Sequence, residues 1–383
     1  MYLLPFLRLT PFCANCYNSS LNCLISWSHA LALPAATYHS IIHGDRRGVG
    51  AAVVRAGLWW ARGPYGVGVW VRNRLFDRGY SQAIRVPVPV VSVGNLTLGG
   101  TGKTPCVESV ARFYRDLGYQ TAILSRGYGS TGAMNDEAMV LEENLLEVPH
   151  LQGRDRVELA MTAVQELESE VLVLDDGFQH RRLARDLDIV LLDATRSVQA
   201  EYLFPRGLLR EPISELRRAS VIMLTRCDQV EADSVARQQA FIESCFPGKL
   251  VVQAIHAPIE LLGTDGETAS LEHVADRPVT AFCGIGNPEA FRRTVSDLGG
   301  KIIAFRTFAD HHPYTRDDVE ELQQWAKQLP SDGLVLTTQK DFVKLRTPEL
   351  GGQPLWAVRV GLKLLTGETA FHELLQSVIP VSS

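Results

Sequence analysis

Residues 90–104, VVSVGNLTLGGTGKT, run from a short apolar strand through a glycine-rich loop into a helix that opens on Gly-Lys-Thr. That order of elements commits the chain to a parallel sheet with helices packed on it. In loops of this kind the backbone N–H groups and the helix N-terminus surround phosphates, the lysine neutralises the β and γ oxygens, and the threonine hydroxyl holds Mg²⁺. The residues expected to touch a nucleotide are therefore Thr97, Leu98, Gly99, Gly100, Thr101, Gly102, Lys103 and Thr104. The strict pattern has glycine where this chain has Thr97, but Gly99 and Gly100 keep the loop pliable.

The rest of the chain agrees with an α/β fold. A helix is expected over Thr104–Leu117, with Pro105 in its first turn, Gly118 as its stop, and Val107, Val110, Ala111, Tyr114 and Leu117 facing inward. Apolar strands follow at 121–125, 171–174, 188–192 and 221–225, with a helix near 156–168. Apolar strands alternating with helices imply a parallel sheet covered on both faces. Residues 249–278 read as a linker hairpin, and a second, smaller α/β pattern without its own phosphate loop occupies 279–383. The phosphate-loop domain is then 86–248.

Several polar motifs fall at strand ends. VLVLDDGFQH, 171–180, is a buried strand ending in Asp175 and Asp176, the usual way such proteins hold the metal or its water shell. Gln179 and His180 follow. SRGYG, 125–129, puts Arg126 on the same sheet edge as the phosphate loop, where ligands collect. NDEA, 135–138, is expected in the loop beyond it. TRCD, 225–228, resembles a guanine-reading box with arginine in place of lysine, and with the His311-His312 pair it supports a rival reading as a GTPase switch or metallochaperone. DHHPY, 310–314, follows a strand, and an Asp–His pair there could orient a base. TQKD, 338–341, ends another strand.

Charge is uneven. Residues 1–90 hold nine Arg, no Lys and two acids, a net of +7, leaving −12 on the remainder of a chain whose total is −5. Four of the six Trp (Trp27, Trp59, Trp60, Trp70) lie in that basic quarter, which favours an anionic membrane surface over nucleic acid. Residues 39–85 are expected to form two amphipathic helices broken at Gly63-Pro64, with Arg47, Arg55 and Arg62 within an arc of about 80°. Residues 1–38 read as a poorly ordered extension. The scattered Cys106, Cys227, Cys245 and Cys283 read as buried thiols in a reducing compartment, and Cys13 and Cys16 as chance spacing rather than a metal site.

Together the stretches VSVGNLTLGGTGKTP, LSRGYG, NDEA, LDDGFQHRRLARD, FPRGLLREP, FCGIGNPEAF, FADHHPYT and LTTQKD resemble the tetraacyldisaccharide 4′-kinase family from about residue 40 onward. The resemblance implies a peripheral enzyme of the cytoplasmic face of the inner membrane. It would transfer the γ-phosphate of ATP, with Mg²⁺, to the 4′-hydroxyl of a tetraacyldisaccharide 1-phosphate, giving the lipid A precursor lipid IVA. It implies two α/β/α domains joined by a two-stranded linker. It assigns Lys103 and Thr104 to ATP and Mg²⁺, Asp175, Asp176 and Glu137 to the metal, and Asp136 to the base with His311 beside it and Asp310 behind. Arg126, Gln179, His180 and Arg206 would meet the substrate. Asn135 and Ala138 depart from the Gly and Pro that often flank the Asp-Glu pair.

Overall fold

The computed structural model describes residues 35–127, 136–345 and 347–379. The extension expected over 1–38 lies outside the described residues as far as 34, and so do Cys13, Cys16, Cys23, Tyr128, Gly129 and Asn135. From Ala35 the chain is already helical: α1 is Ala35–His43 and α2 is Val49–Asp77. The expected break at Gly63-Pro64 does not occur, and α2 runs through Pro64 for 29 residues. A proline costs one backbone hydrogen bond and crowds the preceding turn. Here Tyr65 offsets this from the next position. Its hydroxyl donates to the Arg210 carbonyl at 2.8 Å and its ring meets Phe204 edge-on at 5.3 Å.

One sheet passes through the whole molecule. Its strands are β1 Val90–Asn95, β2 Thr121–Ser125, β3 His150–Gln152, β4 Val171–Asp175, β5 Leu187–Asp193, β6 Val221–Thr225, β7 Leu250–Leu262, β9 Pro278–Cys283, β10 Lys301–Thr307, β11 Leu334–Thr338 and β13 Gln353–Thr366. The short β8 (Thr268–Ala269) and β12 (Glu349–Leu350) hang on β7 and β13. The order is β10-β9-β11-β13-β7-β6-β5-β1-β4-β2-β3. Every neighbouring pair along it is parallel except β13 with β7, which run antiparallel from Gln253 opposite Thr366 to Leu262 opposite Ala357. That seam falls where the linker was expected. The expected hairpin within 249–278 exists only as the small β7–β8 turn, because the main partner of β7 comes from the far end of the chain.

Helices cover both faces: α3 Lys103–Asp116, α4 Asp136–Asn144, α5 Arg156–Glu166, α6 Ala232–Cys245, α7 Pro288–Asp297, α8 Arg316–Ala326, α9 Gln339–Leu345 and α10 Glu368–Ser377. Alternate strand residues feed opposite cores, as strand geometry demands. Val91, Val93, Val171 and Val173 pack with Val107, Val110 and Tyr114 of α3, while Leu172 and Leu174 pack with Val157, Ala160 and Ala163 of α5. Leu117, expected inward, is exposed, since α3 has ended before it; Cys245 is exposed as well, whereas Cys106, Cys227 and Cys283 are buried. The last helix, α10, does not stay with residues 279–366. Its Phe371 and Leu375 join the core under α3, and the Tyr114 hydroxyl donates to the Leu375 carbonyl at 2.8 Å.

The N-terminal helices sit on the first half through a buried ion cluster. Arg72 of α2 and Arg218 both pair with Glu211, which also accepts from the Asn73 amide at 3.4 Å. Asp77 takes Arg181 at 2.7 Å and Arg217 at 2.8 Å. The opposite face of α2 is bare: Val49, Val53, Trp60, Val67, Trp70, Val71 and Leu75 are exposed, Trp60 by 74%. Arg47 precedes the helix, and Arg55 and Arg62 do not lie on that bare face. Arg55 donates to the carbonyls of Ile41 (3.4 Å) and Arg46 (3.0 Å), and Arg62 stacks on Trp59 and Tyr202. No helix among the described residues is long and apolar enough to cross a membrane.

Candidate active site

The site is built at the carboxyl edge of the strands β1, β2 and β4. Residues 96–102 leave β1, and Gly102 caps α3 with φ 81°, a left-handed conformation open chiefly to glycine. A Cβ there would also fall 2.0 Å from the ring of His256, so β7 presses directly on the loop. The loop is tied from several sides. The Asn95 amide donates to Thr101 Oγ1 at 3.0 Å, the Thr225 hydroxyl to the Thr101 carbonyl at 2.9 Å, and Arg226 to the Gly100 carbonyl at 2.7 Å. The backbone N–H of Leu98 donates to the Leu208 carbonyl at 2.8 Å, and Thr97 bridges to Leu209. Arg226 also pairs with Asp193 at 2.5 Å. The residues that looked like a guanine box therefore brace the phosphate loop.

Asp175 and Asp176 end β4 beside Lys103. Burial pushes the Asp175 carboxyl up to about 7, against the pull of Lys103 and with a push from Asp176 and Glu137. Its Oδ1 is buried without a hydrogen-bond partner among the described residues. An orphaned buried carboxylate of this kind fits a cation. Asp176 takes φ 52°, with Arg210 Nη1 at 2.7 and 2.9 Å from its two oxygens and Lys103 Nζ at 3.6 Å. Burial works to raise its pKa, but Arg210 and Lys103 outweigh it and hold the carboxyl well below the usual range. Among the described residues no group of three or more His, Cys, Asp or Glu forms a ready-made metal cage.

Asp136 and Glu137, expected in a loop, form the first turn of α4, where a helix N-terminus favours acids. Asp136 is buried and lies 2.8 and 3.0 Å from Nδ1 of His311, which reaches it across 175 positions of sequence. Burial would raise the Asp136 carboxyl. The hydrogen bond with His311, aided by Lys340 and Lys344, instead lowers it to about 2, and the same bond raises His311. His311 itself is in the left-handed region, φ 58°, with Asp310 Oδ1 4.0 Å from its other nitrogen. His312 turns away to Asp318, so the two histidines do not share a ligand. Ser125, Arg126, Glu137, Asp175 and Asp176 line one cleft between β2, β4 and α4. A phosphate loop, two strand-end carboxylates and a separate Asp–His pair thus converge on one sheet edge.

A family profile described as tetraacyldisaccharide-1-P 4′-kinase matches residues 54–380. The chain belongs to this family. It is 36% identical over 340 residues to the tetraacyldisaccharide 4′-kinase of Syntrophus aciditrophicus, covering 82% of this chain and 90% of that one. To the enzyme of the same name from Anaeromyxobacter dehalogenans it is 39% identical over 346 residues, covering 84% and 90%. The crystal structure of LpxK from Aquifex aeolicus in complex with ATP superposes with a TM-score of 0.70 at 31% identity, over 85% of this chain and 99% of that one.

The remaining residues that the family resemblance implied divide into near and far. Gln179 belongs to the site's wall: its amide donates to the Asn95 carbonyl at 2.9 Å and its oxygen accepts from Arg210 at 3.2 Å. His180 is buried below that turn, and burial, with Arg156, Arg185 and Arg182 around it, lowers it to about 4. Arg206 donates to the Ile42 carbonyl of α1 at 2.9 Å and covers the Tyr202 ring of its own loop, away from Lys103 and Asp136. Sequence reasoning gave no role to Arg210, Lys340 or Lys344. Arg210 sits inside the FPRGLLREP stretch and Lys340 inside LTTQKD, so the signal was present as a motif without a geometry.

Proposed function

We propose that this kinase-family chain transfers the γ-phosphoryl group of ATP to the 4′-hydroxyl of a tetraacyldisaccharide 1-phosphate, with Asp136 as the proton acceptor. The observation that carries the assignment is the buried Asp136 held by His311 on the same sheet edge as Lys103. Phosphoryl transfer has a loose transition state, so catalysis rests on placing the acceptor in line and neutralising oxygens. Lys103 and the N–H groups of 99–104 would take the β and γ oxygens, with Arg126 just past the end of β2 in the same cleft. Mg²⁺, bound through Thr104, Asp175 and Asp176 with Glu137 nearby, would supply charge to the phosphate oxygens. Arg210 fixes Asp176, and through it the place of Lys103. Asp136 needs only to receive the hydroxyl proton as the new bond forms, and His311, itself near Asp310, fixes its carboxylate.

The bare apolar face of α2 supports peripheral attachment to the cytoplasmic leaflet, leaving acyl chains in the bilayer while the disaccharide reaches the cleft. This replaces the arginine arc as the attachment surface, since Arg55 and Arg62 have intramolecular partners. The test is transfer of radiolabelled γ-phosphate to the disaccharide 1-phosphate in detergent micelles. Asp136→Ala should lower kcat by about 10²–10⁴ and leave ATP affinity near normal. A raised ATP KM with kcat spared would move Asp136 to the metal side and leave the base unassigned.

A further inference from the structure

Helix α9 begins where β11 ends, and it lies along α4, the helix whose first turn carries Asp136 and Glu137. Lys340 Nζ is 2.7 Å from Glu137 Oε1. One turn later Lys344 Nζ is 3.7 Å from Asp136 Oδ2 and 3.5 Å from Asp341 Oδ1. At the far end of α4 the Gln339 amide donates to Asn144 (2.7 Å) and Glu143 (3.1 Å), which fixes the register of the two helices. Asp341 is fully buried and saturated from its own half. It accepts from the Gly284 backbone at 2.9 Å, the Thr338 hydroxyl at 2.6 Å and the Tyr314 hydroxyl at 3.0 Å. Lys344 makes no hydrogen bond among the described residues, although its ammonium is buried. It therefore acts as a charge held between two carboxylates, over the face of Tyr314 at 5.5 Å.

This arrangement answers a difficulty in the proposed site. Asp136 and Glu137 are adjacent like charges close to two more carboxylates at the end of β4, where Lys103 already serves Asp176, Asp175 and Glu137 and would also meet the phosphates. Without further cations they would repel one another out of position. Both cations come from residues 339–345, on the other side of the β7–β13 seam. We propose that Lys340 and Lys344 are positioning residues of the transfer reaction, setting Glu137 and Asp136 in their working geometry when the second half of the molecule sits on the first. The inference rests on the reading of Asp136 as the base.

The test is a pair of kinetic cycles on the full chain at saturating Mg²⁺ and ATP, with Asp136→Ala and Glu137→Ala as references. Lys344→Met should lower kcat by about 10–100-fold, leave the ATP KM within about twofold, and recover most of the loss as Lys344→Arg. A residue that acts through Asp136 adds nothing once Asp136 is gone. The Asp136→Ala/Lys344→Met double variant should thus match Asp136→Ala alone within about threefold, and Glu137→Ala/Lys340→Met should likewise match Glu137→Ala. Multiplicative losses in both cycles, with Asp136→Ala strongly impaired, would overturn the lysine proposal and leave the base reading standing. An active Asp136→Ala enzyme would remove the base reading and this inference with it. If Lys344→Met fails to fold, Lys344→Gln and the Lys340 cycle give the same decision.

Discussion

Removing one cation from the cluster that seats α2 should have a cost that can be worked from its surroundings. Glu211 is fully buried, and its charge is shared between Arg72 and Arg218 with help from the Asn73 amide. Removing one partner of a buried ion pair usually costs about 3–5 kcal/mol, because the surviving charge is stranded. In Arg72→Met the carboxylate keeps Arg218, so about half of that, roughly 2 kcal/mol, is expected. Unfolding entropy scales to roughly 0.8 kcal/mol per degree for 383 residues. The melting temperature should therefore fall by about 2–3 °C. Glu211→Gln alone should also destabilise, since it deprives two guanidiniums. The double variant should cost less than the sum by about 1.5 kcal/mol, because the stranded charge is gone and Arg218 retains Glu215 at 2.9 Å. The assay is reversible thermal unfolding of the four proteins in one buffer, without lipid. Costs that add within about 0.5 kcal/mol would refute the idea that Glu211 is the charge Arg72 serves.

Lys103→Ala should reduce kcat by about 10²–10³ through lost oxygen stabilisation, and a variant retaining most activity would show that the loop does not hold the transferred group. Trp60→Glu with Val67→Glu on the bare face of α2 should abolish sedimentation with anionic vesicles while sparing turnover in detergent micelles; unchanged sedimentation would discard that face. Burial lowers His150, His180 and His256 from 6.5 to about 4, so each stays neutral in the fold and binds fewer protons than when unfolded between those values. Their stability contribution is complete above the unfolded value and is lost as pH falls toward 4, at up to about 1.4 kcal/mol per unit for each. His150→Gln should flatten the fall in urea midpoint between pH 7 and pH 5, and an unchanged slope would count against it.

The first half of the site was legible because its signals are local. A strand, a glycine loop and Gly-Lys-Thr are consecutive, and two aspartates follow directly on the apolar run of β4. Asp136 with His311 is different: nothing in either neighbourhood specifies a partner 175 positions away, and only the family resemblance joined them. The misplaced loop around Asp136 has a similar cause. Asp-Glu reads as solvated until β2 and α9 are seen to flank it. In α2 the local rule for Gly63-Pro64 lost to tertiary contacts at Tyr65 and Phe204. The linker's second strand was missed because β13 pairs with a strand about a hundred residues earlier, and alternation alone carries no register between them.

The return of α10 to the first half bears on how the molecule is made. Phe371 and Leu375 complete the apolar layer beneath α3, the helix that begins with Lys103. As the chain leaves the ribosome, the phosphate loop emerges early, but the last part of the layer beneath α3 arrives only with the final dozen or so described residues. Until then α3 rests on the sheet, but the side of it around Tyr114 lacks its last apolar neighbours. A polypeptide halted at the β13 strand would expose that surface to chaperones and proteases, and one released whole would close it last. A chain ended before α10 should therefore hold α3, and Lys103 at its start, less firmly.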